Sequence, residues 1–152
     1  MNLDLYKAVK KVHQAIYTDV LGGSSLAKCE VMAYVFKNLE FHTYVEIGVY
    51  RGKSLFPVSV AVKKNGGTAY GIDPYQDSNA RETDIDETLK MMVDATLDSM
   101  NYSDLFYAVT KSCEEHGLQD TVQLFRQTSH DAVDFFIENK IMIDMLHIDG
   151  NH

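Results

Sequence analysis

The sequence predicts an α/β fold in which a parallel sheet carries helices on its faces. Short apolar runs suited to buried strands alternate with longer segments whose apolar residues recur at helical spacing. Glycine-containing turns separate several of these segments. Strands that alternate with helices in this way are joined by right-handed crossovers into a parallel sheet.

Two amphipathic helices are predicted before the first strand. Gly22-Gly23 ends the first helix, and Ser24 or Ser25 can cap the second, which runs to about Leu39. The first helix presents an apolar face formed by Leu5, Val9, Val12 and Ile16. The second presents Leu26, Cys29, Ala33 and Phe36.

The remainder of the chain alternates strands and helices. The four predicted strands are Phe41–Ile47, Ala69–Ile72, Thr121–Phe125 and Ile143–Ile148. Helices are predicted over about 53–64 and 102–116, and a further helix begins after Thr128 or Ser129.

We expect residues 1–152 to form one domain, with leading helices over 1–40 and an α/β core over 41–152. An acidic insert with one helix occupies about 76–101, where it could cover a substrate. The fourth strand is apolar enough to need a neighbour on each side. The sequence therefore predicts a sheet that is incomplete at its C-terminal side.

The composition restricts the possible partners. A net charge of −8 argues against nucleic acid, which requires a basic face. No apolar run has membrane length and no charged-then-apolar leader is present, so we expect a cytoplasmic protein without a membrane partner. Cys29 and Cys113 lack metal-ligand spacing and are expected to be buried free thiols. A homo-oligomer is compatible with the sequence.

Three of the predicted strands end in residues that suit a nucleoside-type ligand. The first strand contains Glu46 and turns through Gly48 and Gly52 into a helix, which aims backbone N–H groups at a ligand. Asp73 follows the second strand at about the spacing at which nucleotide-binding folds place an acidic residue on a ribose. Asp149 follows the fourth strand.

The glycine turn by itself leaves other functions open. The run from Gly48 to Ser54 is one residue short of the P-loop pattern, so a P-loop nucleotide hydrolase is an alternative. A catalytically silent binding or interaction domain is another. The short loop is poorly suited to wrapping a phosphate, and Glu46 would repel a triphosphate. A dinucleotide fingerprint fits worse, because Tyr50 stands where a small residue is needed.

A ligand with a positive group suits Glu46, and S-adenosylmethionine has an ammonium, a sulfonium and a ribose. The run Glu46–Leu55 resembles motif I of the metal-dependent small-molecule O-methyltransferases of the catechol and caffeoyl-CoA type. Gly71–Tyr75 together with Leu146–His152 resembles the group that includes cephalosporin-hydroxylase-like and macrolide-sugar methyltransferases. This resemblance covers roughly residues 44–152. It implies a Rossmann-like class I fold and methyl transfer to a hydroxyl of a small molecule or sugar.

The resemblance also implies roles for individual residues. Asp73 would accept hydrogen bonds from the ribose hydroxyls, and Ser129 and His130 would flank the adenine. The residues implied to hold the methionine part of the cofactor are Glu46, Gly48, Tyr50 and Ser54, with Gly52 completing the turn.

On the acceptor side, Asp149 matches the first metal ligand of the metal-dependent members, and His152 stands where some members have a catalytic Lys. A bound Mg²⁺ would lower the pKa of the acceptor hydroxyl, and His152 could remove the proton as general base. The remaining metal ligands of the family lie on a further strand, which this sequence does not contain. Gly150 and Asn151 replace bulkier residues of the catechol type, which disfavours an aromatic acceptor.

Overall fold

A computed structural model of the chain describes residues 3–18, 23–76 and 86–149. Its helices are α1 (Leu3–Ala15), α2 (Leu26–Asn38), α3 (Leu55–Lys64), α4 (Glu87–Asp98), α5 (Tyr102–Glu115) and α6 (Ser129–Glu138). Its strands are β1 (Thr43–Ile47), β2 (Thr68–Ile72), β3 (Val122–Phe125) and β4 (Met145–Ile148).

The four strands form one sheet in the order β3-β2-β1-β4, and every pairing is parallel. In the register, Val45 lies opposite Tyr70 on one side and opposite Leu146 on the other. The predicted α/β architecture is therefore confirmed. The chain moves from β1 outward to β2 and β3 and then returns to pair β4 with the other edge of β1.

Each face of the sheet is covered by different helices. Tyr44 and Ala69 belong to a large core that also contains buried residues of α1, α2, α3 and α5. Val45 and Tyr70 point to the opposite face and pack with Ala132, Phe135 and other residues of α6. Because neighbouring strands are in register, Leu146 and Ile148 of β4 lie on the α6 face.

Local sequence signals explain most helix starts. Ser25 accepts a hydrogen bond from the Lys28 N–H at 3.2 Å, and Thr128 accepts one from the Asp131 N–H at 3.2 Å. In each case the structure selects one of the two caps that the sequence allows, Ser25 over Ser24 and Thr128 over Ser129. Pro57 lies in the first turn of α3, the part of a helix that tolerates proline best.

Several element bounds differ from those predicted. β1 begins two residues later, at Thr43, and β4 begins at Met145 instead of Ile143. The helix of the acidic insert is α4, whereas residues 77–85 of that insert lie outside the described residues. Both cysteines are buried and free, as expected.

Within the described part of the chain, β4 is an edge strand. Leu146 and Ile148 are 49% and 50% exposed, although they lie on the face that α6 covers at β1 and β2. The sheet thus presents apolar side chains beyond β1, in agreement with the expectation that β4 needs a second neighbour. No helix in the described ranges is long and apolar enough to cross a bilayer.

Asp144 holds the start of β4 against the start of β1. Its carboxylate accepts backbone N–H bonds from His42 at 2.8 Å and from Thr43 at 2.9 Å. These two bonds lower the pKa of Asp144 below its usual value. The Asp144 N–H in turn donates to the Thr43 carbonyl at 3.1 Å.

Replacing Asp144 with Asn should therefore change how the free energy of unfolding depends on pH. The lowered folded-state pKa gives stabilisation that is present above the unfolded value of about 3.9 and is lost as pH falls through the folded value. We expect Asp144→Asn to cost up to about 1 kcal/mol at neutral pH, since the carboxylate is exposed and screened by solvent. In urea titrations between pH 7 and acid pH, the free energy of unfolding of Asp144→Asn should depend less on pH than that of the wild type. An equally steep profile, or an equal loss in the exposed control Asp120→Asn, would contradict this assignment.

Candidate functional site

The candidate site lies at the carboxyl ends of β1, β2 and β4. β1 is flanked by β2, which follows it in sequence, and by β4, which does not. This is the topological switch point at which open parallel sheets leave a crevice for ligands. Gly48 leaves β1 and Asp149 leaves β4 on the two sides of this point, and the Asp149 N–H donates to the Ile47 carbonyl at 2.8 Å.

The loop between β1 and α3 has three residues in the left-handed region. Gly48, Tyr50 and Gly52 have φ values of 85°, 48° and 75°. A Cβ added to Gly52 would lie 2.5 Å from the ring of Phe56, which is fully buried. Glycine at position 52 is therefore needed for packing of the loop on α3, whether or not a ligand binds there.

The Asp73 carboxylate joins the loop after β1 to the loop after β2. Its Oδ2 accepts the N–H groups of Val49 and Tyr50 at 3.0 and 2.8 Å, and its Oδ1 accepts the N–H of Tyr75 at 2.8 Å. A carboxylate has about four acceptor positions, so the contacts among the described residues leave one on Oδ1. Two ribose hydroxyls could both bind Asp73 only if a bond to the loop were released.

Tyr75 strengthens the same connection. It also has a positive φ, of 49°, and its hydroxyl donates to the Tyr50 carbonyl at 3.0 Å. Burial raises the pKa of Tyr75, with the Asp73 charge adding to the effect, so the hydroxyl remains a donor. The Tyr75 ring packs edge-on against Phe106 at 5.2 Å. Both aromatic rings are thus engaged in packing against each other.

Glu46 lies in β1 and is fully buried. Its Oε1 accepts from the Ser54 hydroxyl at 2.7 Å, and its Oε2 accepts from the Tyr44 hydroxyl. His147 Nδ1 lies 3.1 Å from the same Oε2. The structure therefore holds the buried side chains of Glu46 and Ser54 against each other at the two ends of the loop between β1 and α3.

Lys53 is oriented away from the crevice. Its ammonium donates to the carbonyls of His13 and Ile16 at 2.6 and 2.8 Å, at the C-terminal end of α1. In a P-loop the corresponding lysine must reach the phosphates of the nucleotide. The observed contacts thus disfavour the P-loop alternative, and they fasten α1 to the loop between β1 and α3.

Asp149 receives contacts that the sequence did not indicate. Ser24 Oγ donates to Asp149 Oδ2 at 3.1 Å, and Lys28 Nζ lies 3.2 Å from the same oxygen. His147 Nε2 is 3.8 Å from it. Ser24 and Lys28 belong to the segment that the sequence marks only as leading helices. A single sequence carries no local signal for a contact between residues more than 100 positions apart.

The other predicted site residues are less closely connected. Ser129 and His130 are exposed in the first turn of α6, beyond the carboxyl end of β3. β3 adjoins the Asp73 loop, because the Asp73 N–H donates to the Phe125 carbonyl at 3.0 Å. His152, the predicted general base, lies outside the described residues.

The described residues do not fit a site for a divalent metal. They contain no group of three or more His, Cys, Asp and Glu side chains able to hold an ion. The groups around Asp149 Oδ2 are an ammonium, a hydroxyl that donates to it and an imidazole, whereas Mg²⁺ requires several oxygen ligands. The predicted metal role of Asp149 therefore has no supporting ligand set in this part of the chain.

Comparison with protein families supports the sequence resemblance. A family model described as a methyltransferase domain matches residues 45–152, well over half of the chain. Comparison with the curated proteins finds no match.

Solved structures share the fold. The O-methyltransferase TomG from Streptomyces achromogenes, in complex with SAM, has a TM-score of 0.59 at 14% identity, covering 98% of this chain and 54% of its own. An O-methyltransferase from Bacillus cereus in complex with SAH has a TM-score of 0.56 at 15% identity, with 98% and 55% covered. The SAH-bound Podospora anserina methyltransferase PaMTH1 has a TM-score of 0.56 at 12% identity, with 98% and 50% covered. The chain thus spans about half the length of these proteins.

The packing at Gly52 predicts a difference between two glycine substitutions. Gly52→Ala and Gly66→Ala both place a side chain at positive φ, of 75° and 69°, which costs about 1 kcal/mol each. Only Gly52→Ala also meets the Phe56 ring, since nothing lies within 4 Å of a Cβ at Gly66. We expect the free energy of unfolding of Gly52→Ala, measured in urea, to fall by about 1–3 kcal/mol more than that of Gly66→Ala. Equal losses in the two variants would contradict the proposed steric role.

Proposed function

The chain belongs to the methyltransferase-domain family, and from that premise we propose that it binds S-adenosylmethionine and transfers its methyl group to a hydroxyl of a small molecule or sugar. The observation that carries the proposal is the pairing of Asp73 with the loop after β1, at the switch point of the sheet. The complexes of its structural neighbours with SAM or SAH give further support.

We assign the donor half of the site to the loops after β1, β2 and β3. The loop with Gly48, Tyr50 and Gly52 would hold the methionine part of the cofactor. The Asp73 carboxylate, through its remaining acceptor position, would bind a ribose hydroxyl. Ser129 and His130 at the start of α6 would flank the adenine. The donor groups that the ribose presents suit a half-buried carboxylate acceptor.

Glu46 would act on the cofactor through its charge. Its carboxylate is fully buried and accepts a hydrogen bond from Ser54, the residue at which the loop enters α3. A negative charge in a low-dielectric position favours a cationic ligand over an anionic one at the same loop. This favours a sulfonium and ammonium compound and disfavours a triphosphate.

When bound, S-adenosylmethionine supplies an electrophilic methyl group on its sulfonium. Transfer to a hydroxyl releases a proton, and we propose His152 as the base that removes it. Asp149, across the crevice from Gly48, would contribute to the acceptor side. The net charge of −8 disfavours a nucleic-acid acceptor.

Ligand-dependent thermal unfolding tests the proposed cofactor. At saturating concentration, S-adenosylhomocysteine should raise the Tm by roughly 5 to 10 °C, because a ligand that binds only the folded state stabilises it by mass action. ATP with Mg²⁺ should produce no shift. A shift with ATP and none with S-adenosylhomocysteine would support the P-loop alternative and refute the proposal.

Substitution of Asp73 tests the ribose assignment. Asp73→Asn keeps the side-chain size but removes the charged acceptor, so we expect S-adenosylhomocysteine to bind about tenfold more weakly or worse in calorimetric titrations. The free energy of unfolding without ligand must be measured in parallel, because Asp73 also holds the two loops together. Asp120→Asn, at an exposed position, is the matched control. If a folded Asp73→Asn variant binds as tightly as wild type, Asp73 does not contact the ribose.

A further inference from the structure

The Asp149 carboxylate already has a cationic partner. The Lys28 ammonium lies 3.2 Å from Asp149 Oδ2, and about two-fifths of each side chain is exposed, 38% for Lys28 and 43% for Asp149. The pair is thus partly open to solvent beside the end of β4. The sequence resemblance implies that this same residue, Asp149, binds a metal ion.

The leading segment holds Lys28 in this position. Lys28 lies in the first turn of α2, and its backbone N–H donates to the capping hydroxyl of Ser25 at 3.2 Å. Ser24 is buried, and its carbonyl oxygen lies 2.7 Å from Nε2 of His13, which is a residue of α1. The Ser24 hydroxyl donates to the same Asp149 oxygen as the Lys28 ammonium. Two residues that precede the family match, Ser24 and Lys28, thus converge on one carboxylate oxygen.

These surroundings suit an ammonium better than a divalent ion. Mg²⁺ and Mn²⁺ require several anionic or neutral oxygen ligands around the ion. Among the described residues, His147 links Asp149 to one further carboxylate, that of Glu46. Both oxygens of Glu46 are engaged, by Ser54, Tyr44 and His147. A divalent ion at Asp149 Oδ2 would also be repelled by the Lys28 charge beside it.

We propose that Lys28 supplies the positive charge that neutralises Asp149 and thereby excludes a divalent metal from the acceptor end of the crevice. Lys28 is then a positioning residue that fixes the Asp149 carboxylate, and methyl transfer proceeds without a metal ion at this carboxylate. The inference deepens the proposed function and rests on it, because it assigns the chemistry of the same crevice.

Mn²⁺ binding to the full-length protein tests the inference. After treatment with a chelator, the wild type should show no Mn²⁺ binding that depends on Asp149 up to about 1 mM. Lys28→Gln removes the charge and should strengthen Mn²⁺ binding about tenfold or more, and a second substitution, Asp149→Asn, should abolish that gain. Lys28→Arg keeps the charge and should behave as wild type. Lys111→Gln removes a lysine from another surface pair, with Glu115, and should also leave Mn²⁺ binding unchanged.

Two outcomes would overturn the inference. One is Mn²⁺ binding by the wild type tighter than about 1 mM that Asp149→Asn abolishes. The other is an unchanged Mn²⁺ affinity in Lys28→Gln. The S-adenosylhomocysteine thermal shift, measured on the same preparations, separates this failure from failure of the proposed function. If the wild type shows the thermal shift and also binds Mn²⁺ at Asp149, only the role of Lys28 is refuted. If the wild type shows no thermal shift with S-adenosylhomocysteine, the proposed binding of S-adenosylmethionine is refuted.

Discussion

The buried carboxylate of Glu46 is the constraint on which the rest of the site depends. Burying a charge is costly unless its oxygens are hydrogen-bonded, and Glu46 is fully buried in the middle of the sheet. Its partners come from three elements: Tyr44 from β1, Ser54 from the start of α3 and His147 from β4. Satisfying this one charge therefore fixes β1, the helix that follows it and the strand on the far side of the crevice relative to one another.

A second carboxylate, that of Asp73, organises the side of the crevice that Glu46 does not reach. It binds three backbone N–H groups from the loops after β1 and β2. Tyr50 and Tyr75 adopt positive φ in these loops, a conformation that persists only where surrounding contacts enforce it. The donor half of the proposed site is thus preorganised by two acidic residues, of which one is fully buried and one is half-buried at the edge of the loop.

The acceptor half of the proposed site depends on a segment that lies outside the family match. Lys53 fastens α1 to the loop after β1, and Ser24 and Lys28 reach the Asp149 carboxylate. The leading helices are therefore part of the site's architecture as well as of the core. On the α6 face of the sheet, β4 presents the exposed apolar residues Leu146 and Ile148. The solved structures with a similar fold are about twice as long as this chain.

The sequence by itself determined the features that depend on neighbouring residues: the alternation of strands and helices, the positions of the α2 and α6 caps to within one residue, and the order of the three strand-end motifs. Hydrophobic period and cap chemistry are local, so they can be recognised along the chain. Only the tertiary structure decided that β4 pairs with β1, that the Lys53 ammonium points to α1, and that Lys28 meets Asp149 across 121 positions. Those contacts depend on which strands become neighbours, and the packing of the whole sheet determines that.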